Sequence, residues 1–452
     1  MKTNGSLRLP AAVRHVIETL NQQHYEAFLV GGCVRDWLLG RSVHDYDITT
    51  NALPQQISAI FAGQCRVIPT GIRHGTLTLR FDAMAIEVTT YRIEQNYIHH
   101  RTPQTITFTD DLIQDLSRRD FTINAMAMHP QLGIIDPFDG QRDLKKKRIR
   151  CVGDPSLRIE EDALRILRAF RFSCTLNFSI DPSLRLVIRQ KAALIDCLSE
   201  ERIREELIRI LESEQTRLLQ ALNELKLLPH LFPELIALID LPQKTPWHLY
   251  DAFTHTDIAL DQSIHAPLCE RLALIYHDCA KAQTMRMDEN GIAHFKGHPQ
   301  LSAQIAEKAL RRLCFDKETI RTVTTLIRWH DTYVQADEVW LRQFLSNIDF
   351  RYDLARSILR VQRADNLAKN PALAAKENET IVQAQALLDQ MEAQGQRYTL
   401  RELAVNGDDL RTLGLAGRQI KEGLQLALQQ VLEDPDRNTK EQLLSYLRSL
   451  SS

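Results

Sequence analysis

A single change of period constrains this chain more than any other feature of its sequence. Through about residue 150, short extended patterns alternate with helical ones; from about Pro155 onward, apolar residues recur at helical spacing. In the first part, residues 13–20 read as a helix. Ala27-Phe28-Leu29-Val30 reads as a buried strand that ends at Gly31-Gly32. Asp47-Ile48-Thr49 and the alternating runs 75–81 and 85–90 read as further strands. In the second part the helical pattern breaks at 229–233, 242–246, 288–291 and Pro371, and the Ala/Glu/Gln-rich stretch 372–393 reads as a surface helix. A chain divided this way predicts an α+β protein: a small mixed-sheet head followed by an elongated all-α neck, body and tail. At roughly 150 residues per domain, 452 residues predict about three domains. The breaks divide the chain into a head over 1–150, a neck over 151–230, a body over 231–370 and a tail over 371–452.

Charge and cysteine usage exclude several classes. Lys+Arg 56 against Asp+Glu 58 leaves a net charge of −2, so the chain is not a uniformly basic nucleic-acid binder. Eight cysteines scattered from Cys33 to Cys314 form no CxxC pair, which predicts buried thiols in a reducing compartment. No run of about 18 apolar residues and no signal-like leader is present, so neither membrane insertion nor secretion is expected, and the expected location is the cytoplasm.

Two clusters in the head carry chemistry. Gly31-Gly32 follows a strand and precedes a helix start, so the backbone can approach an oxyanion closely and helix N–H groups point at it. Arg35 adds a charge-assisted donor. By itself the pair is equally a tight strand-to-helix turn. Thirteen residues on, Asp45 and Asp47 flank Tyr46 in an extended segment and so share one face. Two carboxylates that close call for a cation, and Mg²⁺ favours such oxygen ligands. An isolated pair of this kind also occurs by chance on exposed strands. Glu87, in a later strand, either completes a metal site or faces outward. Together, a phosphate-cradling turn and paired aspartates match metal-dependent nucleotidyl transfer.

The same residues carry a family resemblance. GGCVRDWLLGRSVHDYD is similar to the signature of the class II tRNA nucleotidyltransferase and bacterial poly(A) polymerase superfamily. The likeness continues through Thr70-Gly71-Ile72-Arg73-His74-Gly75-Thr76, Arg118-Arg119-Asp120-Phe121-Thr122-Ile123-Asn124-Ala125, Asp136-Pro137-Phe138-Asp139-Gly140 and Glu161-Asp162-Ala163-Leu164-Arg165, in the family's order. The block at 70–76 resembles the CCA-adding branch. The resemblance implies template-free addition of C, C and A to the 3′ end of tRNA, using CTP, ATP and Mg²⁺; Asp45 and Asp47 are the expected Mg²⁺ ligands, with Glu87 the candidate third carboxylate. It implies ribose and phosphate recognition by Arg118, Arg119 and Asp120 with Asn124 in support. On the residues alone, 118–120 is equally a solvated turn.

Residues 160–172 read as one amphipathic helix, with Ala163, Ile166, Leu167 and Phe170 on one stripe and Asp162, Arg165 and Arg168 opposite. Asp162 and Arg165, three apart, are expected to be neighbours: either an intrahelical ion pair, or, as in the family, a template for the incoming base. Arg168 and Arg171 are expected to hold phosphates. Residues 141–172 carry ten Lys/Arg and five Asp/Glu, a local surplus of five inside a neutral chain. Residues 92–103 fall where the family has a flexible loop needed to switch from C to A; His99 stands where an acid is usual and Thr102 where a second arginine is. Residues 199–207 resemble the family's last head motif and are expected to brace the neck.

In the helical part, His255, His277-Asp278, His298, His330 and Asp365 are spaced as in the HD phosphohydrolase superfamily, with Ala280 where glycine is usual. Histidines and carboxylates from separate helices can bind a second divalent metal, here His255, His277, Asp278 and Asp365, and activate water for phosphoester hydrolysis. The alternative is a scaffold that only supports tRNA. Rival readings of the chain are a poly(A) polymerase, an enzyme adding only CC or only A, an HD phosphohydrolase with a decayed head, and a non-catalytic RNA-binding module.

Overall fold

The computed structural model describes residues 9–82, 84–98, 100 and 102–450. Two compact units divide the chain. One comprises Met1–Gln215 and Leu222–His230, the other Thr216–Ala221 and Leu231–Ser452.

The first unit is built on a mixed seven-stranded sheet in the order β3-β4-β5-β2-β1-β8-β9. Its strands are β1 (Ala27–Val30), β2 (Tyr46–Thr50), β3 (Arg66–Gly71), β4 (Thr76–Phe81), β5 (Met84–Thr90), β8 (Ala127–His129) and β9 (Gly133–Ile135). β1 is central and buried throughout, as its unbroken apolar run requires. β4 and β5 alternate, burying Leu77 and Leu79, Ile86 and Val88, while Glu87 faces solvent. β2 lies parallel to β5 and antiparallel to β1, which makes the sheet mixed. Phe28, Val30, Tyr91, Leu112, Leu116 and Ala127 form a core beneath it. The helix expected at 13–20 spans Ala11–Gln22.

Two expectations for this unit are corrected. Residues 92–103 are not a loop: β6 (Arg92–Ile98) and β7 (Thr102–Phe108) pair with each other as an antiparallel two-stranded sheet separate from the main one. His99 and Arg101 lie outside the described residues. Residues 160–172 are not one helix. Helices Pro155–Glu161 and Leu164–Leu176 are separated at Asp162, whose φ of −142° and ψ of 104° are extended. The apolar stripe that suggested continuity does bury Ile166, Leu167 and Phe170, but it belongs to the second helix alone.

The second unit is helical apart from a small hairpin, Arg286–Met287 with Ala293–His294, whose turn is the break expected at 288–291. Leu268–Tyr276 is buried along its whole length except at Leu268 and Cys269 and forms its axis. Around it run Ala252–Asp261, His298–Arg312, Lys317–Trp329 and Tyr352–Leu367. Pro371 opens the long helix Pro371–Ala393, as a proline can at a first turn. Val405, Leu410, Ala427, Val431, Leu443 and Leu447 form a separate small core near the C-terminus. All eight cysteines are free; Cys33, Cys151, Cys174 and Cys279 are buried, but Cys197 is exposed, against expectation. Among the described residues no helix is long and apolar enough to cross a membrane.

Candidate active site

The sheet register assembles the head carboxylates. Asp47 on β2 stands opposite Glu87 on the parallel strand β5, and opposite Val30, the last residue of β1. Gly31 follows at φ 75°, ψ −136°, a conformation only glycine adopts without strain. A Cβ there would lie 3.2 Å from Arg119 Nη1 and 3.5 Å from Asp47 Oδ2, so turn, arginine and aspartate converge. Helix Gly32–Leu38 starts at once. Burial pushes the Asp47 carboxyl above its ordinary range; Arg119 opposes that shift, and Glu87 and Asp45 add to it. The side chains of Asp45, Asp47 and Glu87 accept no hydrogen bond among the described residues. Clustered, mutually repelling carboxylates without donors form a ligand set that fits a divalent cation.

The expected nucleotide-binding residues form a chain of contacts. Arg35 donates from Nε and Nη2 to Asp36 (2.9 and 2.8 Å) and from Nη1 to Asn124 Oδ1 (2.8 Å). Asn124 Nδ2 donates to Asp120 Oδ1 (3.2 Å), and Arg168 donates to Asp120 Oδ2 from Nε and Nη2 (2.8 and 2.5 Å). Burial works against the Asp120 charge, but Arg168 outweighs it and holds the carboxyl at about 2. Arg171 donates to Glu206 Oε2 (2.5 Å), and the guanidinium groups of Arg35, Arg168 and Arg171 lie 5.0, 5.6 and 4.2 Å from the Phe172 ring centre.

The side chains of Asp162 and Arg165 do not pair, although Arg165 N donates to the Asp162 carbonyl (3.0 Å). The chain break at Asp162 turns them apart: Asp162 accepts from Arg202 Nη2 at both oxygens (3.2 Å each), and Arg165 donates to Glu161 Oε2 (2.6 Å) and the Arg158 carbonyl (2.8 Å). The basic surplus of 141–172 is likewise not free. Each of its seven arginines meets an acid, and Lys145, Lys146 and Lys147 remain exposed. Arg202 and Glu161 were missed as site residues. Their signal was spacing: Glu161 stands four before Arg165, and acids and bases at that separation meet on a helix.

In the helical unit the expected metal ligands come together. Ligand atoms of His255, His277, Asp278 and Asp365 all lie within 4.8 Å of one another, as do those of Asp278, His298 and His330. His277 and His330 sit at helix C-termini and His298 at an N-terminus, while His255 and Asp365 project from within helices. Each Nδ1–H donates to a backbone carbonyl: His255 to Ala368 (3.3 Å), His277 to Leu274 (2.7 Å), His298 to Phe295 (2.8 Å) and His330 to Ile327 (2.7 Å). That fixes the ring orientation and turns every Nε2 inward, where His255 Nε2 lies 2.7 Å from Asp365 Oδ1. His298 and His330 then face each other, Nε2 to Nε2, at 3.2 Å. No well-aligned hydrogen bond reaches His277 Nε2 or either oxygen of the buried Asp278, although His277 Nε2 lies 3.2 Å from Oδ2 and His298 Nε2 3.3 Å from Oδ1. This donor set fits a divalent cation. Two lysines unforeseen from sequence flank it: Lys281 Nζ lies 2.6 Å from Asp278 and Lys369 Nζ 2.8 Å from Asp365, three and four residues along from the acids they meet. A cavity of about 520 Å³ opens beside the cluster, lined also by His248, Lys296 and Arg328.

Comparison with known proteins agrees with the head geometry. Residues 27–150 match the family described as the poly A polymerase head domain, and residues 177–239 the family described as a probable RNA- and SrmB-binding site of polymerase A. The part of the chain that these matches reach, residues 27–150 and 177–239, is thus similar to poly A polymerase-type proteins. The chain is 47% identical over 195 residues to the CCA-adding enzyme of Lactobacillus helveticus, covering 43% of this chain and 48% of that one. It is 43% identical over 218 residues to the CCA-adding enzyme of Staphylococcus aureus, covering 48% and 52%. The alignment thus spans about half the length of the curated relatives it matches. The CCA-adding enzyme of Bacillus stearothermophilus, crystallised in complex with CTP, superposes over 98% of both chains with a TM-score of 0.71 at 29% identity. The superfamily's expected mixed-sheet head and helical remainder are both present.

Proposed function

We propose that this protein adds C, C and A to the 3′ end of tRNA from CTP and ATP without a template. The observation that carries this reading is the group of donor-free carboxylates, Asp45, Asp47 and Glu87, beside the Gly31 turn. These residues would hold Mg²⁺, which when bound supplies charge stabilisation to attacking and leaving oxygens. The tRNA 3′-hydroxyl attacks the α-phosphate, a P–O bond forms, and pyrophosphate leaves. Gly31 and Gly32 let backbone N–H groups reach the triphosphate, with Arg35 and Arg119 as counter-charges. Asp120, Asn124, Arg168 and Arg171 shape the ribose and phosphate side. Asp162 accepts from the base's amine and Arg165 donates to its ring acceptors; both first release their present partners. The helical unit grips tRNA by shape and phosphate contacts. We place the reaction in the cytoplasm, in keeping with eight cysteines of which none is in a disulfide.

The test is product length on tRNA lacking CCA. CTP alone should give two additions, both nucleotides three, and Asp45→Ala none with its fold intact. Long A tracts would identify a poly(A) polymerase instead.

A second reading concerns 231–370, which we take as an HD-like body. The convergence of four inward Nε2 atoms with the carboxylates of Asp278 and Asp365 supports a divalent metal there and phosphoester hydrolysis.

A further inference from the structure

Next to the histidine–aspartate cluster lies a second cavity, of about 330 Å³, that neither proposed reaction uses. It shares His330, Asp331, Thr332 and Lys369 with the larger one, so the two are contiguous. Their walls differ in kind. Lys281, Lys296, Lys369 and Arg328 outnumber Asp278, Asp331 and Asp365 by one among the histidines of the larger cavity, whereas Trp247, Tyr333, Val334, Leu373 and Ile381 add aromatic and apolar surface to the smaller one, beside Lys376 and Glu377. The Tyr333 ring is 71% exposed, and it stacks on no ring or cation of the fold.

One helix face serves both cavities. Gln362, Asp365 and Asn366 stand at i, i+3 and i+4 on Tyr352–Leu367; Asp365 lines the larger cavity, Gln362 and Asn366 the smaller. Gln362 is 4% exposed, and its Nε2 donates to the carbonyls of Trp329 (2.7 Å) and Thr332 (2.9 Å). Carbonyls only accept, so the amide orientation is fixed and Oε1 is an acceptor. That oxygen is buried with no donor. Asn366 Oδ1 accepts from Lys369 Nζ (2.7 Å), which leaves its amide hydrogens for another partner. A buried acceptor without a donor is a standing cost that a ligand N–H removes.

We propose that the smaller cavity is a nucleobase site. The base packs on Trp247 and Tyr333, gives an amine or ring N–H to Gln362 Oε1, and directs its phosphate to Lys369 and the cationic cavity beyond. Aromatic platforms hold any base by its face, and the volume suits a mononucleotide. The ligand class is a nucleoside monophosphate, free or as the last residue of an RNA strand. This extends the second reading, but base binding needs no metal, so either can fail alone.

The test titrates AMP, inorganic phosphate and a short RNA ending in adenosine into the full chain by calorimetry, with EDTA present. The chain carries Asp162→Ala and Arg165→Ala, so that the head reads no base. AMP should bind at least about tenfold more tightly than phosphate, and Tyr333→Ala and Trp247→Ala should each weaken it about tenfold. Tighter binding of the RNA than of AMP, lost with Tyr333→Ala, assigns the strand end; RNA binding that Tyr333→Ala leaves unchanged, with AMP binding weakened, assigns the free nucleotide. Gln362→Leu should abolish binding, but it also strips two carbonyls of their donor, so Tyr333→Ala, a surface change, decides. AMP binding untouched by Tyr333→Ala and Trp247→Ala, or no better than phosphate binding, overturns the proposal.

Discussion

Asp120 shows what single residues contribute in the head. It accepts from Arg168, Asn124 and the Phe121 amide while almost buried, and its carboxyl is held at about 2. A depressed carboxylate stabilises the fold above its ordinary range, and that stability is lost as pH falls through the folded value. Asp120→Asn should therefore cost about 2 kcal/mol at pH 7, the worth of a shift of nearly two units. The gap to the unaltered chain should narrow as pH falls from about 4 toward 2. Urea midpoints at pH 7, 4 and 3 read this directly, and a gap that stays constant would refute it. At this scale the sequence is legible where chemistry is local. Gly31, Asp45 and Asp47 declare themselves by type and spacing. The pairing of Asp47 with Glu87 does not, because forty residues separate them and only sheet register brings them together. The pairing of Asp162 with Arg202 is hidden for the same reason.

Elements mislead where a local pattern has two physical realisations. The apolar stripe through 160–172 suits a continuous helix, yet the backbone opens at Asp162, where Ala163 N donates to the His100 carbonyl (3.0 Å). His100 Nδ1 in turn donates to the Glu160 carbonyl (2.6 Å). Only a hairpin reaching over from 92–108 could supply those partners, and such contacts leave no trace in a helical wheel. The hairpin is tied at its base as well: Glu94 accepts from Arg92 (2.7 Å) and Arg118 (3.2 Å), and Arg165 donates to the Arg118 carbonyl (3.2 Å). Hairpin and break therefore form one assembly around Asp162 and Arg165. Replacing residues 96–104 by a short glycine turn should spare C addition and lower terminal A addition at least about tenfold further, a difference of about 1.4 kcal/mol in transition-state energy. Single-turnover assays on tRNAs ending in C and in CC measure it. Equal loss of both steps would mean the hairpin only supports the fold.

For the whole molecule, a net charge of −2 conceals two sites of opposite construction. In the head, carboxylates lie among arginines that are mostly already paired. In the helical unit, inward histidines and two aspartates are flanked by lysines. The two ligand sets share no residue and belong to separate compact units, so their chemistries should separate. Asp278→Asn keeps side-chain volume while removing the carboxylate common to both ligand groups. It should lower metal-dependent hydrolysis of p-nitrophenyl phosphate by more than about 100-fold, beyond what losing an outer-shell partner costs. Addition of CCA to tRNA should stay at its original rate. Asp45→Ala should do the reverse, abolishing nucleotide incorporation while hydrolysis supported by a divalent metal persists. Far-UV circular dichroism confirms that each variant is folded, and metal content by mass spectrometry should fall by one or two equivalents in Asp278→Asn alone. Loss of both activities in a folded Asp278→Asn protein would show the sites to be coupled. Absence of hydrolysis with every divalent metal would leave the helical cluster a structural device, and the reaction of the head would stand alone.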